Sequence, residues 1–225
     1  MCATKCLMAE TPQQLPRTLW LGFSLLLGVL GVMYLLSLAE MSRAYKSALP
    51  VISQIADFTL TNQDGQVTTL ADLTNHVWVA DIIFTRCAAS CPIMTGQMKA
   101  LQDVLPPASE AKLVTLTTDP DYDAPPILKR YGEHYGADFN RWIFLTGTKK
   151  ELASLATDGL KLGSTPVPPQ DQKSPVDLFV HSTIFVVVDK QARLRGIFQT
   201  EGEGVDWTNV QPNIIATIRQ LEGEL

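Results

Sequence analysis

Val77-Trp78-Val79-Ala80-Asp81-Ile82-Ile83-Phe84-Thr85-Arg86-Cys87-Ala88-Ala89-Ser90-Cys91-Pro92 organises the rest of the chain around it. Val77 to Phe84 carries apolar residues on both faces, the pattern of a strand buried in the middle of a sheet. From Cys91 the period changes, and Met94, Met98, Leu101 and Leu105 follow one helical stripe at spacings of four, three and four. A strand therefore runs through two cysteines into a helix. In helical or near-helical backbone, residues i and i+4 share a face, so Cys87 and Cys91 can close a disulfide or pinch one metal ion. Pro92 falls where no amide hydrogen is needed. The unpaired amides and positive dipole end of the first turn predict a stabilised thiolate at Cys91, with Arg86 able to add to it.

Downstream, Pro106-Pro107 ends the helix, and Lys112 to Thr117 reads as a strand closed by Asp119-Pro120. Asp123 reads as an N-cap, with Pro125 and Pro126 in the first turn of a helix to Tyr135. Trp142 to Leu145 is a short strand and Lys149 to Ala156 a helix. Gly163 to Pro175 holds Pro166, Pro168 and Pro169 and reads as a long loop, of the kind that is often functional. Ser182–Asp189 and Ala192–Gln199 are strands around a turn, and Val210 to Leu221 is a closing helix. Upstream, Asp57–Thr61 and Gln66–Leu70 flank the turn Asn62-Gln63-Asp64-Gly65. The order β-α-β-α-β-α-β-β-α around a dithiol at a strand-to-helix junction predicts an α/β, thioredoxin-like mixed sheet flanked by helices. Its parallel part requires a right-handed crossover.

Leu19 to Ala39 carries no charge and is about the length, near 20 residues, of a transmembrane helix. Gly22, Gly28 and Gly31 are common in such spans, and Trp20 and Tyr34 lie toward its ends. Ser37-Leu38-Ala39 resembles a signal cleavage site, but the apolar run exceeds a signal h-region of roughly 7–15 residues, so an uncleaved anchor is favoured. The division is then a tail (1–18), an anchor (19–39), a tether (40–50) and a folded domain (51–225). Lys5 and Arg17 on one side of the span balance Arg43 and Lys46 on the other. Orientation is read instead from the dithiol, which suits a space outside the cytosol. Cys2 and Cys6 then face the cytosol as spectator thiols. A net charge of −5 with no basic run excludes nucleic acid as a partner.

Two thiolates leave a metal short of a full shell. Of the three histidines, His76 sits in a turn and His134 on a polar helix face, both readings of solvated side chains. His181 opens an apolar strand directly after the long loop, where a third ligand can reach a site built elsewhere. Two sulfurs and one imidazole suit copper, whereas a structural zinc site wants a fourth protein ligand. Met94 and Met98 fall at core spacing rather than ligand spacing.

Phe84–Pro92 resembles the dithiol motif of the Sco/SenC family, membrane-anchored thioredoxin-fold copper proteins. The likeness continues through Thr118–Asp123, Leu128–Tyr131, Trp142–Gly147 and Val180–Thr183, and covers the chain from about Ile55 onward. It implies a copper ion, Cu(I) or Cu(II), held by Cys87, Cys91 and His181. It also implies a metallochaperone role in maturing the copper centre of cytochrome c oxidase. The partners implied are the oxidase's copper-site subunit or another copper chaperone. The place implied is the cell inner membrane, single-pass, with the domain facing the periplasm. Two departures stand out: Ala88 where a proline commonly follows the first cysteine, and Val180 where an aspartate often precedes the histidine, with Asp177 further back. The alternatives are an anchored thiol–disulfide oxidoreductase working through Cys87 and Cys91, and a redox sensor that retains no copper.

Overall fold

β4, Trp78–Ile83, lies where the apolar run predicts a central strand, and all of its residues are buried. The computed structural model describes residues 17–47, 49–166, 179–181 and 183–224, those at 17–19, 38–47, 164–166 and 179–181 by their backbone. The chain divides into two compact units, Met1–Ala48 and Leu49–Leu225.

The described part of the first unit is α1, Arg17–Ser47. Its window Trp20–Ser37 has a mean hydropathy of 1.9, none of it buried in the protein, and is long and apolar enough to cross a membrane. Ser24 and Ser37 donate their hydroxyls to carbonyls of their own helix, Leu21 O at 3.0 Å and Tyr34 O at 2.7 Å, so neither needs water. The helix continues through 40–47, where the sequence reads as a tether. No glycine or proline lies between Gly31 and Pro50.

The second unit is built from β1 (Ser53–Gln54), β2 (Thr59–Asn62), β3 (Val67–Thr69), α2 (Leu70–Leu73), β4, α3 (Ser90–Val104), β5 (Lys112–Thr117), α4 (Pro125–His134), β6 (Trp142–Thr146), α5 (Lys149–Ala153), β7 (Ser164–Pro166), β8 (Phe179–His181), β9 (Ile184–Val188), β10 (Arg193–Gln199) and α6 (Trp207–Glu222). Among the described residues the main sheet runs β1-β10-β9-β4-β5-β6-β2-β3, and β7 and β8 form a separate pair. β4, β5 and β6 are parallel to one another, while β9 lies antiparallel on the other side of β4. This is the mixed sheet of a thioredoxin-like α/β fold.

Strand alternation divides the core between the two faces. Trp78, Ala80 and Ile82 join Val114, Leu116, Val186 and Leu155 on one side. Val77 and Val79 join Met94, Met98, Leu101, Phe144 and Ile218 on the other. Met94 and Met98 are both fully buried there, the packing role their spacing predicts.

Four local expectations change. The helix predicted to Ala156 is α-helical only to Ala153 and continues as a π-helical turn, Ser154–Gly159, closed by Leu160 N–H to Leu155 O at 2.9 Å. The long loop contains β7, which pairs with β8 at Ser164↔His181; residues 167–178 lie outside the described ones. The strand predicted from Ser182 begins at Ile184. Strands as short as β7 and β8 are too brief for a periodic signal. Finally, α4 begins at Pro125, so its N-cap is Ala124, whose side chain has no capping group, and the Asp123 carboxylate binds Thr85 instead.

Candidate functional site

The dithiol lies where β4 ends and α3 begins. Cys91 occupies the first turn of α3 and is fully buried, while Cys87 is half-buried. Ile83, Phe84 and Cys91 form a small buried cluster, with Cys87 and Tyr131 packed against it. Behind Cys91, Thr95 Oγ1 donates to the Cys91 carbonyl at 2.7 Å. The Tyr131 hydroxyl, 2.8 Å away, therefore donates to Thr95. Burial pushes the Tyr131 phenol above its usual range.

The thiolate expected at Cys91 is not favoured by these surroundings. A hydrogen bond with the Cys87 thiol pushes the Cys91 thiol up, followed by burial and by the nearby charges of Cys87 and Asp81. One backbone hydrogen bond at Phe84 acts the other way. A helix N-terminus favours an anion by about 0.3–1 kcal/mol at an exposed site, and desolvation of an enclosed sulfur outweighs that. Asp81, fully buried in the middle of β4, was not singled out from sequence, although a lone carboxylate in an apolar run is a visible signal.

The loop Thr117–Asp123 flanks the dithiol segment. Asp123 is fully buried and accepts from Thr85 N–H at 3.1 Å, from the Thr85 hydroxyl, and from the Thr117 hydroxyl at 2.5 Å. Burial pushes the Asp123 carboxyl up from its usual range against those hydrogen bonds. Asp119 pairs with Arg86 at 2.5 Å, and the Arg86 guanidinium stacks 4.2 Å from the centre of the Tyr122 ring. Arg86 thus serves Asp119 and Tyr122 rather than the thiols.

His181 ends β8. β9 runs antiparallel to β4 with Trp78↔Val188 and Ala80↔Val186 in register. Continued along both strands, that register brings Ile184, the first residue of β9, to the Ile82 end of β4, where the dithiol segment leaves the sheet. His181, the last residue of β8, stands three positions before Ile184 in the chain, so it precedes the strand that reaches this end of β4. The His181 side chain, Asp177, Cys2 and Cys6 lie outside the described residues. Among the described residues, no three His, Cys, Asp or Glu side chains gather as a metal site. His76 faces the Glu110 carbonyl, with Nδ1 3.1 Å away, and His134 packs edge-on against Tyr135 at the end of α4. A cavity of about 590 Å³ between Gln54–Thr59 and Thr148–Gly159 contains neither cysteine.

The SCO1/SenC family model matches residues 49–211. The SCO1 protein homolog of Bacillus subtilis is 36% identical over 114 residues, which span 50% of this chain and 59% of that protein. The solved structure of BsSco superposes with a TM-score of 0.65 at 27% identity, covering 78% of this chain and 97% of that one. BsSco is described as a member of the Sco family of cytochrome c oxidase assembly proteins with a disulfide switch. Bradyrhizobium japonicum ScoI, solved with copper bound, shares the fold at a TM-score of 0.58 and 18% identity, covering 75% of this chain and 99% of that one. The matched segment contains the whole of the central sheet, both cysteines and the position of His181, and the chain belongs to the SCO1/SenC family.

Proposed function

We propose that the domain is a copper metallochaperone, with copper as its cargo and Cys87, Cys91 and His181 as its ligands. The observation that carries the reading is a pair of thiols in hydrogen-bond contact, one enclosed and one half-buried, between the end of β4 and the first turn of α3. Two sulfurs form a soft donor pair suited to Cu(I), and an imidazole nitrogen from His181 also accommodates Cu(II). The half-exposed Cys87 is the side from which an acceptor's ligand can enter, so copper can pass by stepwise ligand exchange. Membership of the family supports the copper centre of cytochrome c oxidase as the acceptor, and the apolar length of α1 supports a single membrane anchor with the domain in the periplasm or an equivalent space.

Copper titration of the reduced protein tests this. One copper per chain is expected, with thiolate-to-metal charge-transfer absorption for Cu(II). Cys87→Ala, Cys91→Ala and His181→Ala should each abolish that spectrum or weaken affinity strongly, while His76→Ala and His134→Ala change little. Unchanged affinity and spectrum in His181→Ala would sink the three-ligand reading. A second reading, a thiol–disulfide oxidoreductase that reduces an acceptor's cysteines, is favoured by the contact between the two thiols. In that case His181→Ala leaves disulfide exchange in place and copper binding is dispensable.

A further inference from the structure

The segment 84–89, which carries Cys87, lies between the last residue of β4 and the first of α3 and belongs to neither ladder nor helix. Its own backbone contributes Cys87 N–H to Phe84 O at 3.1 Å. Its lateral position is set from outside, by two carboxylates of a single turn. Asp123 takes both the amide and the hydroxyl of Thr85, and Asp119 takes the guanidinium of Arg86. The turn is itself closed on these groups. Asp123 N–H donates to Asp119 O at 2.8 Å. The Thr117 hydroxyl donates to Asp123 at 2.5 Å while accepting from Asp119 N–H at 3.0 Å.

Asp123 is an uneconomical residue for packing alone. Its carboxylate is fully enclosed, the three donors on it are neutral, and the neighbouring cation Arg86 pairs with Asp119 instead. A buried charge held by neutral donors is disfavoured relative to an apolar group of the same shape.

We infer that Asp123 and Asp119 form a two-point clamp on Thr85 and Arg86, with Asp123 as a positioning residue that sets how Cys87 meets Cys91. The inference takes from the proposed function only that the two cysteines work as a pair. Cys91 is fixed in α3, so the freedom of the pair resides in Cys87 and in whatever holds its segment. Released from the clamp, Cys87 can reach the short sulfur–sulfur distance of a disulfide more readily. The clamp therefore biases the pair toward the open dithiol.

The test is the dithiol–disulfide equilibrium of the metal-free protein against a glutathione buffer, read by thiol alkylation, with thermal unfolding as a control for folding. Thr85→Val removes the hydroxyl donor with little change of shape and should shift the equilibrium toward the disulfide at least fivefold, about 20 mV for a two-electron couple. Thr85→Ser keeps the donor and should stay within twofold. Asp123→Asn should shift in the same direction as Thr85→Val; should it fail to fold, the Thr85 pair decides. A Thr85→Val protein within twofold of the parent, or shifted toward the dithiol, overturns the clamp. So does a Thr85→Ser protein that shifts as far as Thr85→Val. A parent that forms no Cys87–Cys91 disulfide also overturns it, while the copper reading stands or falls on its own titration.

Discussion

Arg195 is 5% exposed and ties together three separated parts of the domain. Its guanidinium donates to Asp189 at 2.6 Å, to Glu224 at 3.0 Å, and to the Leu49 carbonyl at 2.8 Å. Asp189 also receives Arg193 Nε at 2.8 Å and two backbone amides. Asp189→Ala leaves the interior Arg195 guanidinium with the half-exposed Glu224 as its remaining carboxylate partner and is expected to cost about 1.5–3 kcal/mol, measurable by urea unfolding. Burial pushes the Asp189 carboxyl up, but hydrogen bonds from Arg195 and Arg193 outweigh it and hold the group below its usual value of 3.8. Its stabilising contribution is thus present above about pH 4 and lost as pH falls through the lowered value. Asp123 has the opposite sign, because its raised carboxyl contributes most when protonated and loses that contribution as pH rises through the raised value. Unfolding free energies from pH 6 to 3 should fall in the parent and fall less in Asp189→Asn; parallel curves would remove Asp189 from the account. At the dithiol, accessibility orders the two thiols. A maleimide should label Cys87 well before Cys91, whose side chain is enclosed, and equal labelling rates would contradict that burial.

At the scale of elements, helical stripes and buried strands were legible and local caps were not. The period of Met94, Met98 and Leu101 identifies α3, since burial of one face leaves a repeat in the chain. Asp123 ahead of two prolines has the form of a cap, yet its carboxylate turns to Thr85, a partner 38 positions away that no local pattern reveals. β7 and β8 are invisible for the same reason, because each exists only through the other. In α4, Gly132 marks a close approach. A Cβ there would lie 2.8 Å from both Phe139 Cε1 and Phe144 Cε2. Gly132→Ala gains helix propensity of about 1 kcal/mol but must displace two packed rings, and a net loss of about 1–2 kcal/mol is expected by chemical denaturation. A stabilised Gly132→Ala protein would show that the rings give way.

For the whole molecule, the division at Ala48 and Leu49 predicts that 49–225 folds without α1. Leu49 should be kept in such a fragment, since its carbonyl accepts from Arg195 and its side chain packs with the α3–α6 face of the sheet. The fragment's thermal transition should match that of the full chain in detergent; a markedly lower one would mean that α1 supports the domain. With α1 in a membrane, a reporter that works only in the cytosol, fused after Leu225, should be silent. Activity would reverse the orientation and remove an external copper site as the destination.

What could be read from the chain alone was whatever repeats or stands in sequence order. The apolar span, the central strand, the helix after Cys91 and the spacing of the two thiols are all of this kind, because hydrophobic burial writes a period into the residues that obey it. The tertiary structure decided the state of the groups so placed. It enclosed Cys91 and set Asp81 near it, opposing the thiolate that the helix terminus favours. It also drew Asp123 from its helix to Thr85. Desolvation and long-range hydrogen bonds depend on what surrounds a side chain in three dimensions, and residues from distant parts of the chain supply those surroundings.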